Sequence, residues 1–373
     1  MTETAERVDV AVVGGGVAGA AACVAVARRG IRALWLAPER DRRVEPVGES
    51  LSPAAQPVLA SLGLEDLLAS PPHRPSNATF SAWGSAHLVE RNAAIHLEGP
   101  GRVLDRGRFE DDLAAAADHV SDRRTWPLKT AAARDGLWHL SVVGSEGSRA
   151  IEARMVIDAS GRSAVFGRQR ADYCRTDQMV AACSILPHRD DSVQPTPATL
   201  IESAEHGWFY AALLPDGRLS VAWFSDPDLL PAGLSHDTTA WRNLLAGTAH
   251  VGRWIDDAGF SVETAPRLAS AGVTRLEPAA DAQSGWAAVG DAAAAFDPLS
   301  SHGITTALWT GARAGTAAAD WLGGDGASLD AYAGAVRAGA QRFAEQRAAI
   351  YALERRFGHS PFWRRRQAPR TDR

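Results

Sequence analysis

Lysine is nearly missing from this chain. Among 39 basic residues it occurs once, at Lys129, and the rest are arginine. Any chemistry that depends on an active-site lysine must therefore use Lys129 or be ruled out. Cysteine is also scarce: Cys23, Cys174 and Cys183 stand at spacings that suit neither a metal site nor a disulfide framework. Metal: none is the expectation, and the reducing cytoplasm is the expected location. No apolar run reaches membrane-spanning length. The first, residues 8–13, is strand-sized and runs into glycines, and no signal-peptide pattern precedes it. Net charge is −5 and the pI about 6.1, so no basic excess points to nucleic acid or a membrane surface.

What remains is ordinary globular material: 373 residues, 46% apolar and 22% charged. That length suits two domains, or one large α/β domain with an insertion. Residues 8–13 (VDVAVV) read as a buried parallel strand. Gly14, Gly16 and Gly19 then form G-x-G-x-x-G before an alanine-rich helix, which Gly30 ends ahead of a second strand at 31–36. In such a βαβ unit Gly14 permits the turn, Gly16 lets backbone approach a pyrophosphate, and Gly19 lets helix and strand pack. Val17 and Ala18 open the helix whose N-terminus faces the phosphates. The acid expected near the end of the second strand is displaced. Ala37 stands at the usual place, and Glu39 reaches the ribose only through a shifted turn.

A second organising stretch is residues 290–308, GDAAAAFDPLSSHGITTAL. It reads as a strand end with an acid, Gly290-Asp291, then a Pro298 turn, a Ser301-His302-Gly303 corner and a helix entered through Ile304. An acid there suits a ribose or ribitol hydroxyl. The free N–H groups of a helix start suit an electron-rich ring edge. Asp297 reads as a turn-fixing carboxylate. Between these stretches lie Gly48-Glu49-Ser50, a helix expected from Ser52 to Ala69, and a helix mouth with Arg106 and Arg108. Arg108 is taken as a phosphate or ring contact, the alternative being an ion pair with Glu110 or Asp111. Asp158-Ala159-Ser160-Gly161 marks another sharp turn after a buried strand.

Residues 172–226 change character, with β runs at 179–186, 198–203, 208–214 and 218–224 and an Asp216-Gly217 hairpin turn. A helical segment over 229–259 with Trp241, Leu244 and Trp254 inward follows. The chain closes on an aromatic, then basic, tail. Paired strands over 80–97 carry Trp83, His87 and His96. The expected division is a discontinuous dinucleotide domain (1–75, 100–170, 270–325), a substrate domain (76–99, 171–269) and a helical segment (326–373).

In order and spacing, G-x-G-x-x-G, the arginine-bearing helix start and Gly290-Asp291 with Asp297-Pro298 and Gly303 resemble the FAD-dependent monooxygenases of the p-hydroxybenzoate hydroxylase fold. Within that superfamily, Gly48-Glu49-Ser50-Leu51 and the 297–304 stretch resemble the flavin-dependent halogenases and their non-halogenating relatives. The match is closest to flavoproteins that hydroxylate peptide-bound tryptophan in quinone-cofactor maturation; His206 to Tyr210, Leu214 to Arg218 and the C-terminal end share that likeness. The resemblance implies an α/β fold: a Rossmann-like FAD-binding domain with a parallel sheet, an inserted antiparallel β-sheet substrate domain and C-terminal helices. It implies FAD as cofactor and O2 as co-substrate. The substrate implied is a tryptophan or indole-like aromatic, small or peptide-bound, hydroxylated through a flavin C4a-hydroperoxide.

The residues carried over as FAD contacts are Gly14, Gly16, Val17, Ala18, Gly19, Glu39, Glu49, Ser50, Arg108, Asp158, Gly161, Gly290, Asp291, Pro298, Ser301, Gly303 and Ile304. Trp83, Trp208, Tyr210 and Trp223 are taken as an aromatic substrate face, with core packing as the alternative. Glu49 and His302 are the base candidates, against a loop-holding carboxylate and a packed or solvent histidine. Two departures matter. The halogenases' lysine after the first βαβ unit and their Trp-x-Trp-x-Ile-Pro run are missing, which disfavours halogenation. The hydroxylases' Asp-Gly motif is replaced by Asp158-Ala159-Ser160-Gly161, which points to a separate flavin reductase or free reduced FAD as electron source. A geranylgeranyl-reductase-like oxidoreductase is the remaining alternative.

Overall fold

The computed structural model describes residues 5–39, 45, 48–69, 72–76, 78–92, 100–144 and 147–367. His96 and the tip after Gln367 lie outside them.

The apolar run at the start forms strand Glu6–Val13, the centre of an eight-stranded sheet. It pairs in parallel with Gly147–Asp158 on one side and Leu34–Leu36 on the other. Trp286–Ala288 and Asp122–Arg124 extend the parallel set outward. Register aligns the strand ends: Val13 lies opposite Leu36 and Asp158, and Asp158 opposite Ala288. The loops leaving these ends therefore meet at one edge, where α/β sheets place their ligands. Helix α1 (Val17–Ala27) lies against the sheet with ten buried residues.

α2 (Ala55–Leu62) is shorter than the sequence predicts. Gly63 takes the left-handed conformation, φ 70°, and ends the helix, with a 3-10 turn at Glu65–Leu68 beyond it. α3 (Arg106–Val120) starts where expected, capped by Asp105, whose Oδ1 accepts from the Arg108 N–H at 2.9 Å. The predicted helical stretch at 229–259 resolves into α4 (Thr238–Ala246) and α5 (Val251–Asp257). Trp241 and Leu245 are its buried residues in α4, with Leu244 only partly covered.

A second, seven-stranded sheet runs in the order Arg267–Ser270, Val180–Leu186, Leu219–Ser225, Gly207–Leu213, Thr199–Ala204, Ala78–Ala82, Val89–Asn92. It is antiparallel except where Thr199–Ala204 meets Ala78–Ala82. Its two faces bury different partners because side chains alternate along each strand. Phe209, Val221 and Trp223 pack with Trp241 and Ile255 of α4 and α5. Trp208, Ala222 and Phe224 face the other way and meet Tyr351, Phe362 and Trp363.

Those last three residues come from α7 (Ala327–Leu353) and α8 (Pro361–Gln367), which follow α6 (Gly303–Leu322). The aromatic tail is therefore docked: Phe362 and Trp363 are fully buried, each contributing about 1.5–3 kcal/mol or more of apolar burial. α6 crosses α1 at very short range. A Cβ on Gly311 would stand 2.3 Å from the Ala18 carbonyl oxygen, and one on Gly315 2.7 Å from that of Ala22. No helix among the described residues is long and apolar enough to cross a membrane.

Candidate functional site

The aligned strand ends, the start of α1, the corner before α6 and the inner face of the antiparallel sheet enclose one cavity of about 450 Å³. Gly16, Val17, Ala18, Ser50, Gly161, Gly290, Asp291, Pro298, Ser301, Gly303 and Ile304 all line it. So four stretches far apart in sequence converge: 16–18, 50, 161 and 290–304. Ala181, Cys183, Trp208, Tyr210, Ala222 and Phe224 form its opposite wall.

Local geometry explains the glycines. Gly14 has φ +126°, and a Cβ there would meet the Ala159 carbonyl oxygen at 2.2 Å. A Cβ on Gly19 would meet the Gly14 oxygen at 2.1 Å. Both serve the turn and the close packing of α1, behind the cavity wall. Gly16, Gly161 and Gly303 line the cavity, with nothing within 4 Å of where a Cβ would project. The first residues of α1 and α6 carry no side-chain cap, so the positive ends of both helices bear on the cavity. A glycine-lined space between two uncapped helix starts suits an anionic dinucleotide cofactor such as FAD.

The charges in the site are few. Asp291 is half-buried and paired with Arg162, Nε to Oδ2 at 3.2 Å. Burial raises its carboxyl above the ordinary range, against the opposing pull of Arg162 and Arg106. Arg106 also lines the cavity, and its guanidinium binds the Gly48 carbonyl and Glu110. Asp297 is fully buried at the corner. Its Oδ1 accepts from Leu299 N at 3.0 Å, and its Oδ2 from Arg347 Nε at 2.7 Å and Tyr351 Oη at 3.0 Å.

Several expected residues stand elsewhere. Arg108 does not line the cavity: its Nε donates to Asp112 at 2.7 Å on the exposed side of α3. Two positions along a helix turn a side chain by about 200°, so Arg106 and Arg108 cannot face the same way. The inward phase of Phe109 and Leu113, three and seven residues after Arg106, was the available signal for choosing Arg106. Asp158 is fully buried behind the wall, where its carboxylate accepts from Ser160 N and Oγ, Phe166 N and Gly167 N. It anchors the 159–167 loop. Glu39 is exposed and not among the lining residues.

His302 is exposed at the start of α6, with Nδ1 turned to the Ser300 carbonyl. Trp83 packs edge-on against Trp208, Tyr351 and Trp363 and donates to the Ile350 carbonyl at 2.8 Å. Trp223 points to the far face of its sheet, stacked on Phe209. Of the four aromatic candidates, Trp208 and Tyr210 line the cavity. Glu49 is 2% exposed and reaches the cavity only through Tyr210, whose hydroxyl donates to Glu49 Oε1 at 2.6 Å. Arg162, not singled out from the sequence, came in with the Ser160-Gly161 turn that was.

A dinucleotide-type parallel sheet thus meets an antiparallel sheet across one cavity. No family model matches the chain. It is similar to the putative FAD-dependent oxidoreductase LodB of Marinomonas mediterranea, 28% identical over 97% of this chain and 98% of the relative. It shares its fold with the myxobacterial chondrochloren halogenase CndH (TM-score 0.86, 22% identity, 98% of this chain and 87% of the other). It also shares it with the peptidyl tryptophan dihydroxylase QhpG (TM-score 0.77, 23% identity, 98% and 80%). By these likenesses the chain is an enzyme that uses FAD, and its fold is one that a halogenase and a hydroxylase share.

Proposed function

We propose that the protein is an FAD-dependent monooxygenase that hydroxylates tryptophan or another indole-like aromatic, free or within a peptide. The observation that carries the choice of oxygen transfer concerns lysine. The chain's single lysine, Lys129, is exposed on strand Leu128–Arg134 and is not among the residues around the cavity. Holding or relaying hypohalous acid on a lysine is therefore not open to this chain. The fold shared with CndH supports halogenation as the second reading; it would need a different group to handle the oxidised halide.

The division of labour follows the two sheets. In this reading the parallel-sheet part (1–75, 100–170, 270–325) holds the cofactor, the antiparallel part (76–99, 171–269) presents the substrate, and residues 326–373 close its outer end. Gly16, Val17 and Ala18 bind the pyrophosphate, and Asp291 and Arg162 hold the ribityl-adenylate arm. The start of α6 at Gly303 and Ile304 stabilises negative charge at the ring's pyrimidine edge. Reduced FAD, supplied by a separate reductase or bound from solution, provides the activation of O2. Trp208, Phe224 and Phe296 give the substrate side an aromatic, water-poor wall. An indole carbon is nucleophilic already, so the chain's remaining task is to remove one proton as the ring regains aromaticity.

Reduced FAD, O2 and chloride supplied together with tryptophan-containing peptides test the proposal by product mass. Added oxygen is the expected result. A chlorine isotope pattern would transfer the reading to halogenation. Reduction of an isoprenoid, with every aromatic left unchanged, would overturn both.

A further inference from the structure

Tyr210 and Glu49 stand between two cavities. Tyr210 lines the large one, and Glu49 lines a second of about 110 Å³. The 2.6 Å bond from the Tyr210 hydroxyl to Glu49 Oε1 links them. The second cavity reaches solvent, because Glu45 and Asp216 on its wall have side chains 48% and 45% exposed. Glu49 itself is 2% exposed, on the loop just before the short strand Ser50–Leu51. Its backbone is pinned there by the Leu104 N–H donating to its carbonyl oxygen at 2.8 Å.

We propose that Tyr210 and Glu49 form a proton path from the large cavity to the water of the second one. The inference rests on the hydroxylation reading for the origin of its proton. When oxygen has added to a ring carbon that bears hydrogen, the C–H bond breaks and its electron pair returns to the ring. The Tyr210 oxygen takes that proton on a lone pair while its own proton moves along the short bond to Glu49. Glu49 then releases a proton to water in the second cavity. One proton crosses, the path carries no net oxidation or reduction, and no reagent beyond reduced FAD and O2 is required.

A buried carboxylate would be a poor direct base here, since it does not line the large cavity. Placed second in series it needs only a solvent-side outlet, which the second cavity supplies. The charged groups around Glu49 are Arg106 and Asp105 at the start of α3, Arg218 and Asp216 at the hairpin, and Glu45. Burial first, and then the Glu49 carboxylate, hold the Tyr210 phenol proton well above its ordinary range. The hydroxyl therefore stays protonated and works by exchange.

Two measurements test the path. In cofactor-free protein, Tyr210 ionisation is read from near-ultraviolet difference spectra against Y210F. It is expected at lower pH in E49Q, where the neighbouring negative charge is gone. An unchanged midpoint overturns the path, whatever reaction the enzyme performs. With reduced FAD, O2 and a tryptophan-containing peptide, E49Q and Y210F should each slow oxygenation by roughly 100-fold, and the double variant no further. Acetate should restore E49A in proportion to its concentration, with weaker restoration by less basic carboxylates. Wild-type rates in Y210F, or no rescue of E49A by any carboxylate, overturn the path. Failure of the wild type to oxygenate any aromatic would sink the hydroxylation reading instead, and the spectral titration would still decide whether the pair is coupled.

Discussion

Arg347 Nε donates to Asp297 Oδ2 at 2.7 Å, and both residues are buried. One stands on α7 and the other at the corner before α6, fifty positions earlier. The same guanidinium also reaches Asp177, ahead of the antiparallel sheet. Through this ion pair the C-terminal helices hold the corner of the cavity in place. Removing one partner strands a buried charge. Arg347→Met should cost about 3–5 kcal/mol in urea unfolding. Arg347→Met combined with Asp297→Asn should recover part of that loss.

Gly16 separates binding from folding. Its backbone is extended, φ −85° and ψ −175°, a conformation valine adopts freely. Nothing lies within 4 Å of a Cβ there except the open cavity. Gly16→Val should therefore keep the wild-type unfolding midpoint and circular dichroism. FAD affinity, followed by quenching of flavin fluorescence, should fall at least about tenfold, or about 1.4 kcal/mol.

Glu354 ties three segments together. Fully buried by its neighbours, its carboxylate accepts from Gly84 N at 2.8 Å, Ser203 Oγ at 2.6 Å, and Arg356 N, Nε and Nη2. Burial pushes its pKa up, but these donors outweigh burial and hold it below the ordinary 4.5. A carboxyl more acidic when folded stabilises the fold above the ordinary value, and that stability is lost as pH falls through the lowered one. Glu354→Gln should cost about 1.5–3 kcal/mol at neutral pH. In acid the melting temperatures of variant and wild type should converge.

Trp208 and Trp223 are buried alike but on opposite faces of one sheet. Trp208 Nε1 donates to Tyr351 Oη at 3.1 Å, whereas Trp223 Nε1 has no partner among the described residues. Trp208→Phe loses a hydrogen bond; Trp223→Phe removes an unsatisfied donor. The first should be less stable than the second by about 1–2 kcal/mol in urea unfolding. With an aromatic substrate, Trp208→Phe should also raise KM, while Trp223→Phe leaves it near wild type.

Much of this was legible in the chain itself. The apolar strand 8–13 and the glycine spacing after it determine a βαβ unit, because period and turn chemistry are local properties. The alternation through 179–224 and the Asp216-Gly217 turn likewise set an antiparallel sheet. The lone lysine excludes lysine chemistry anywhere but position 129. What the sequence could not decide was facing. Arg106 and Arg108 are both arginines at one helix mouth; the apolar phase of Phe109 and Leu113 favours Arg106, but that a cavity lies on that side is decided by the tertiary structure. Trp208 and Trp223 both belong to aromatic strands, and only pairing register assigns them to opposite faces. Glu49 and Tyr210 are separated by 161 positions, and their contact exists because two sheets close over one cavity. Local structure is written in nearest-neighbour preferences. Which side chains share a site depends on long-range register, which no short stretch of sequence encodes.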